Sequence, residues 1–183
     1  MIEQDAIANL FEVDDILKEM RLPYFLAYGT ALGAVREGRF ISYDPDIDLG
    51  FYAENFVPKA LQLAQKLVMA DFEVTCLREP FTRCWAIKAR KRDIGVDMVA
   101  HIGHNLRRFN PSTLGDFCHV IQPISVYGGM YVDFYGRRLL APGSSYLKDV
   151  YGPDWKTPTT VVDHKCRVDG YMSRVPKDIL EKL

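Results

Sequence analysis

Asp46 and Asp48 stand two residues apart in Tyr43-Asp44-Pro45-Asp46-Ile47-Asp48, and on an extended strand that spacing turns both carboxylates to one face. Side by side without a counter-charge they repel and one takes up a proton, so a hard, oxygen-binding cation is the natural occupant. Magnesium fits best, with manganese as its substitute, because it is held by a few carboxylates plus substrate phosphates. A third acid, Asp97, lies in the apolar stretch Ile94-Gly95-Val96-Asp97-Met98-Val99-Ala100, whose pattern predicts burial. A buried carboxylate needs a partner: either a metal shared with Asp46 and Asp48, or a basic side chain such as Lys88 or Arg90 on a neighbouring strand.

The segment Tyr28-Gly29-Thr30-Ala31-Leu32-Gly33-Ala34-Val35-Arg36 could form the other half of a phosphate site. Gly29 lets the backbone approach a ligand, a helix N-terminus offers free amides to an anion, and Arg36 could pair with phosphate oxygens. The plainer reading is that Gly29 makes a tight turn and that Gly33 and Ala34 allow close helix packing. Trp155 could stack on a base or sugar and Lys156 could meet phosphate, or Trp155 could simply pack the tail onto the domain. Tyr127, Tyr131 and Tyr135 read as sheet packing. Of His101, His104, His119 and His164 only the first two are close, at a spacing that suits no metal cluster.

These residues need elements to hold them. Apolar residues at three- and four-residue intervals from Ile7 to Met20 predict an amphipathic helix over 5–20, ended by Pro23. Tyr24 to Tyr28 reads as a buried strand, Gly29 as a turn, and Ala31 to Glu37 as a short helix capped by the Thr30 hydroxyl. A strand over 46–52 and a helix from about Asn55 to Ala70 follow, with Pro58 in its first turn. A meander of strands is expected over 72–77, 84–88 and 94–101, then strands near 120–126 and 130–140, a helix over 144–151 and an irregular tail from Gly152. The fold class is α/β or α+β: a mixed sheet flanked by helices, packed mainly on one side.

With 183 residues, 48% hydrophobic and 26% charged, the chain fits one domain spanning 1–183. Its 23 basic and 24 acidic residues leave a formal charge of -1, so no overall field draws it to nucleic acid or an anionic membrane. No apolar run reaches roughly 18 residues and the N-terminus is acidic, which predicts a cytoplasmic protein without a transmembrane segment. Cys76, Cys84, Cys118 and Cys166 are spaced too irregularly for zinc and read as free thiols.

In order along the chain, Gly29-Thr30, Leu32-Gly33-Ala34-Val35-Arg36, Asp44-Pro45-Asp46-Ile47-Asp48 and Val96-Asp97-Met98-Val99 resemble the signature of the LicD/fukutin family. Phe134-Tyr135-Gly136, Leu140-Ala141-Pro142, Tyr146-Leu147 and Tyr151 through Pro158 resemble its closing motif, so the motif-bearing part runs over about 24–158. The resemblance implies a nucleotidyltransferase-like fold and transfer of a phospho-alcohol (phosphocholine, ribitol phosphate or glycerol phosphate) from a CDP-linked donor to a sugar hydroxyl of a glycan or glycolipid. It implies Asp46 and Asp48 as paired metal ligands, Asp97 as third carboxylate, and Gly29-Thr30 as the donor phosphate turn. Pro45 interrupts the run of acids common in the family. Peripheral membrane association is compatible with such an activity, although no basic amphipathic helix supports it. Two other functions stay open: transfer of a nucleoside monophosphate from a nucleoside triphosphate to a small molecule or protein, and a catalytically silent module that binds a nucleotide or glycan.

Overall fold

The computed structural model describes residues 2–78, 84–104, 107–110, 118–121, 129–158 and 172–173. Helix α1, Glu3–Glu19, buries Ala6, Leu10, Val13 and Leu17 along one face, the stripe its periodicity predicts. It ends where Arg21 turns left-handed, at φ 50°, two residues before Pro23.

The strand expected over 24–28 is only β1, Phe25–Leu26, because helix α2, Tyr28–Arg36, begins three residues earlier than expected. Thr30 does not cap it. The residue before the helix is Ala27, which makes no side-chain cap bond, and the first helical N–H, that of Tyr28, is satisfied by the Tyr146 hydroxyl at 3.0 Å. Strand β2, Asp46–Tyr52, follows. The single helix expected over 55–70 is divided into α3, Ala53–Phe56, a 3-10 turn, Val57–Lys59, and α4, Ala60–Met69. Pro58 has no N–H to donate, so the i→i−4 ladder cannot run through it.

Strands β3, Glu73–Arg78, β4, Cys84–Lys91, and β5, Ile94–His104, form the expected antiparallel meander. The sheet order is β1-β2-β5-β4-β3, and β2 with β5 is its parallel pair. The end of β5 continues into β6, Arg107–Asn110, β7, Cys118–Ile121, and the short β10, Met172–Ser173, all antiparallel. Residues 122–126 of the strand expected near 120–126 lie outside the described residues. The strand expected over 130–140 is a hairpin, β8, Met130–Phe134, and β9, Arg137–Ala141. Tyr135 and Gly136 both have positive φ, 54° and 79°, the two-residue geometry that matches strand twist. Helix α5, Ser144–Tyr151, agrees with expectation.

Helices α1 and α4 pack on each other and on the sheet, while α2 lies against β2, α5 and the β8–β9 hairpin. Ile47, Leu49 and Phe51 alternate along β2 into the core, leaving Asp46 and Asp48 on the opposite face. The hairpin is fastened to α1 by Arg137, which donates to buried Asp14, to Asp15 at 2.6 Å and to the Phe11 carbonyl at 3.2 Å. Asp14 also accepts from Lys18 and Tyr24, so its charge is fully met inside the protein. Among the described residues no helix is long and apolar enough to cross a membrane.

Candidate active site

Register assembles the acids. The parallel pairing of β2 with β5 sets Asp48 opposite Asp97 and Asp46 opposite Gly95, and the antiparallel pairing of β5 with β4 sets Asp97 opposite Lys88. Directly paired residues share a face, so Asp48, Asp97 and Lys88 form one row across three strands. Asp44 joins from the residues leading into β2: one carboxylate oxygen from each of Asp44, Asp46 and Asp48 can be chosen so that all three lie within 4.8 Å of one another. Among the described residues no histidine or cysteine joins such a group.

The first turn of α2 clasps this cluster. Ala27 N–H donates to the Asp48 carbonyl at 3.0 Å, and Asp48 N–H donates to Thr30 Oγ1 at 2.9 Å. Thr30 is 1% exposed, so its hydroxyl is spent inside the protein, and the Gly29 N–H reaches the Asp48 carboxylate. Gly29 also leaves room for Asp44: a Cβ there would fall 1.9 Å from Asp44 Oδ2. Tyr28 carries the chain into this turn at φ 39°, a left-handed conformation costly for an aromatic residue.

The electrostatics record crowded anions. Burial, then the Asp46 charge and a hydrogen bond with it, pushes Asp44 up to about 7. Burial and the Asp97 charge raise Asp46. Asp48 is raised well above the carboxylate range by burial and by Asp46, Asp44 and Asp97, against the Gly29 amide. Lys88 donates to Asp97 at 2.7 Å, and that bond raises the Lys88 pKa in turn. The cluster thus holds more negative charge than its protein surroundings balance, the condition a hard divalent cation satisfies.

Asp46, Asp48, Asp97, Gly29 and Thr30 therefore come together. Arg36 does not: it ends α2, about 12 Å along the axis from Tyr28, and its guanidinium pairs with Glu37. Trp155 is 9% exposed and belongs to the core, so packing is the reading realised for it, while Lys156 is exposed with its ammonium 5.6 Å from the indole. Asp97 pairs with Lys88, the basic partner the sequence offered. Asp44, two residues before Asp46 and in the loop that leads into β2, is the site residue that strand alternation alone does not mark.

Other expectations meet mixed outcomes. Tyr131 is exposed with the Arg138 guanidinium 4.8 Å from its ring instead of packing in a sheet, because the hairpin turns it outward. Tyr135 does pack, stacked on Phe40 and accepting its N–H at 2.8 Å. His101 is buried between the Phe25 and Tyr28 rings. Cys76 is a free thiol; Tyr127, Cys166 and His164, and the side chains of Cys84, Cys118, His104 and His119, lie outside the described residues.

The family model of the LicD/FKTN/FKRP nucleotidyltransferase domain matches residues 21–142. No curated protein sequence matches the chain. Among solved structures, ANT(2″)-Ia in complex with adenylyl-2″-tobramycin aligns with a TM-score of 0.52 at 18% identity, covering 88% of this chain and 86% of that one. The solution structure of the antibiotic-resistance factor ANT(2″)-Ia aligns at 0.54 with 17% identity over 91% and 83%. A Thermotoga maritima protein described as a nucleotidyltransferase aligns at 0.50 with 16% identity over 80% and 82%. At such identity the likeness is one of fold.

Proposed function

The chain belongs to the LicD/FKTN/FKRP family and is a transferase of the nucleotidyltransferase fold; we propose that it moves a phospho-alcohol group from a CDP-linked donor to a sugar hydroxyl of a glycan or glycolipid. The observation that carries this reading is the convergence of Asp44, Asp46 and Asp48 beneath the first turn of α2, beside Asp97. Three crowded carboxylates with raised proton affinity fit magnesium, or manganese in its place, and Asp46 and Asp48 would hold it with Asp44 beside them. When bound, the cation would supply neutralisation of charge on the transferring phosphoryl group and the leaving nucleotide.

The chain's own residues do the rest. The α2 turn keeps Asp48 fixed through both its backbone groups, so the cluster needs little reorganisation during reaction. The acceptor oxygen forms a bond to the phosphorus carrying the alcohol as the P–O bond to the nucleotide breaks. The electron pair leaves with CMP, and the hydroxyl proton passes to Asp97, which is partly exposed at the rim beside Lys88 and is the group we assign as general base. Lys156, exposed at the closing motif, is the cation we assign to the donor's phosphates, with Trp155 as its packed support. Arg36 takes no part in this reading.

A second reading has one observation in its favour: the aligned ANT(2″)-Ia structure contains an adenylyl-2″-tobramycin, a nucleotidyl-transfer product. Product analysis separates the two, since a CDP-alcohol donor yields CMP and a nucleoside triphosphate yields pyrophosphate. The first test is a thermal-shift titration of wild type and Asp46→Asn with magnesium plus CTP, CDP-choline, CDP-ribitol or CDP-glycerol. Magnesium-dependent stabilisation by one CDP-alcohol, lost in the variant, identifies the donor; a response to CTP alone favours nucleotidyl transfer. No response to any nucleotide leaves a silent glycan-binding module as the better description.

A further inference from the structure

The salt bridge between Lys88 and Asp97 lies beside the carboxylate cluster. Lys88 Nζ is 2.7 Å from Asp97 Oδ2, and pairing register leaves Asp97 flanked by Asp48 on one side and Lys88 on the other. Across the sheet the row therefore runs carboxylate, carboxylate, ammonium. Adjacent carboxylates repel, and Asp97 alone of the pair has a cation on its far side. Asp44, Asp46 and Asp48 bring their oxygens within 4.8 Å of one another, while Asp97 stands outside that group among the described residues. The lysine side chain is 56% exposed and the aspartate 21%. At that exposure the pair adds little stability, but it lies on the rim of the cluster, near enough for Asp97 to raise the Asp46 carboxyl.

We propose that Lys88 is a positioning residue of the transfer site: its ammonium holds the Asp97 carboxylate off the Asp44–Asp46–Asp48 cluster, so that Asp97 faces the acceptor as a base instead of joining the cluster as a further metal ligand. The proposal rests on the reading that the cluster binds a divalent cation, and it gives the lysine a function distinct from binding substrate. Without Lys88, Asp97 has no partner drawing it outward, and the nearest favourable position for its charge is the cation.

The experiment is Mn²⁺ binding measured by electron paramagnetic resonance on the full chain without substrate, for wild type, Lys88→Met, Lys88→Arg, Asp97→Asn, the Lys88→Met/Asp97→Asn pair, and Asp46→Asn. Lys88→Met is expected to bind Mn²⁺ about tenfold more tightly, the scale on which an added or lost carboxylate contact moves a metal site, and Lys88→Arg to bind as wild type does. In the Asp97→Asn background Lys88→Met is expected to change affinity little, because the gain passes through Asp97. An equal gain in both backgrounds means that removing a positive charge is the whole effect, and overturns the proposal; so does no gain at all. Wild type that fails to bind Mn²⁺, or Asp46→Asn that binds it equally well, sinks the metal-site reading itself and this proposal with it. Circular dichroism of each variant establishes that it is folded.

Discussion

The hydroxyl oxygen of Thr30 accepts the backbone N–H of Asp48 at 2.9 Å, joining the first turn of α2 to the second carboxylate-bearing residue of β2. Thr30 is buried and Asp48 half-buried, so little water can replace the bond. Thr30→Val keeps the shape and removes the acceptor, leaving a half-buried N–H without its partner. A loss of about 1–3 kcal/mol is expected in urea unfolding, with turnover falling further as Asp48 shifts, and Thr30→Ser should keep most of both. Equal stability of Thr30→Val and wild type would show that the bond is not formed.

Gly29→Ala tests the space beside Asp44. The added methyl would come within 1.9 Å of Asp44 Oδ2, so the carboxylate must swing out of the cluster. Manganese affinity should drop by about tenfold while the far-ultraviolet circular dichroism spectrum stays that of the wild type. Unchanged affinity would mean that Asp44 contributes nothing to the cation.

The crowded acids make a pH prediction. Asp44 has its pKa raised from 3.8 to about 7, so between those values the folded protein keeps a proton that the unfolded chain has released. That contribution is complete below the unfolded value and is lost as pH rises through about 7. The metal-free melting temperature should therefore fall from about pH 5 to about pH 8, by roughly 4 °C. Magnesium should restore more at the higher pH, where the carboxylates are ionised. Glu12, lowered by Lys91 and Arg92 against its burial, and Asp15, lowered by the Arg137 hydrogen bond, work in the opposite direction but in the acid range. Calorimetry at several pH values with and without magnesium decides it; a melting temperature that climbs through this window contradicts the arrangement.

Tyr146→Phe removes the acceptor of the Tyr28 N–H, the contact that lets α2 begin at a residue with φ 39°. A cost of about 1–2 kcal/mol is expected, accompanied by faster hydrogen exchange of the Tyr28 and Gly29 amides relative to α1. If exchange at α2 is unaltered, the helix start is held by other contacts.

Much of the site was legible in the chain itself. Side-chain alternation placed Asp46 and Asp48 on one face of β2, the apolar run around Asp97 marked a strand, and Pro23 marked where the first helix stops, whereas the break at Pro58 was read as a helix's first turn. These rest on local geometry, which repeats every two or 3.6 residues whatever the rest of the chain does. The start of α2 was not legible, because it depends on a hydroxyl 118 residues away in sequence. Nor was Lys88 legible over Arg90 as the basic partner of Asp97, since both lie on the same neighbouring strand. That choice follows from register: β2 pairs with β5 in parallel, β4 returns antiparallel on its other side, and only this order sets Asp97 between Asp48 and Lys88. Register between strands distant in sequence is determined by how their buried faces fit together. Local pattern thus named the acids, and tertiary pairing decided which of them cluster and which faces a lysine.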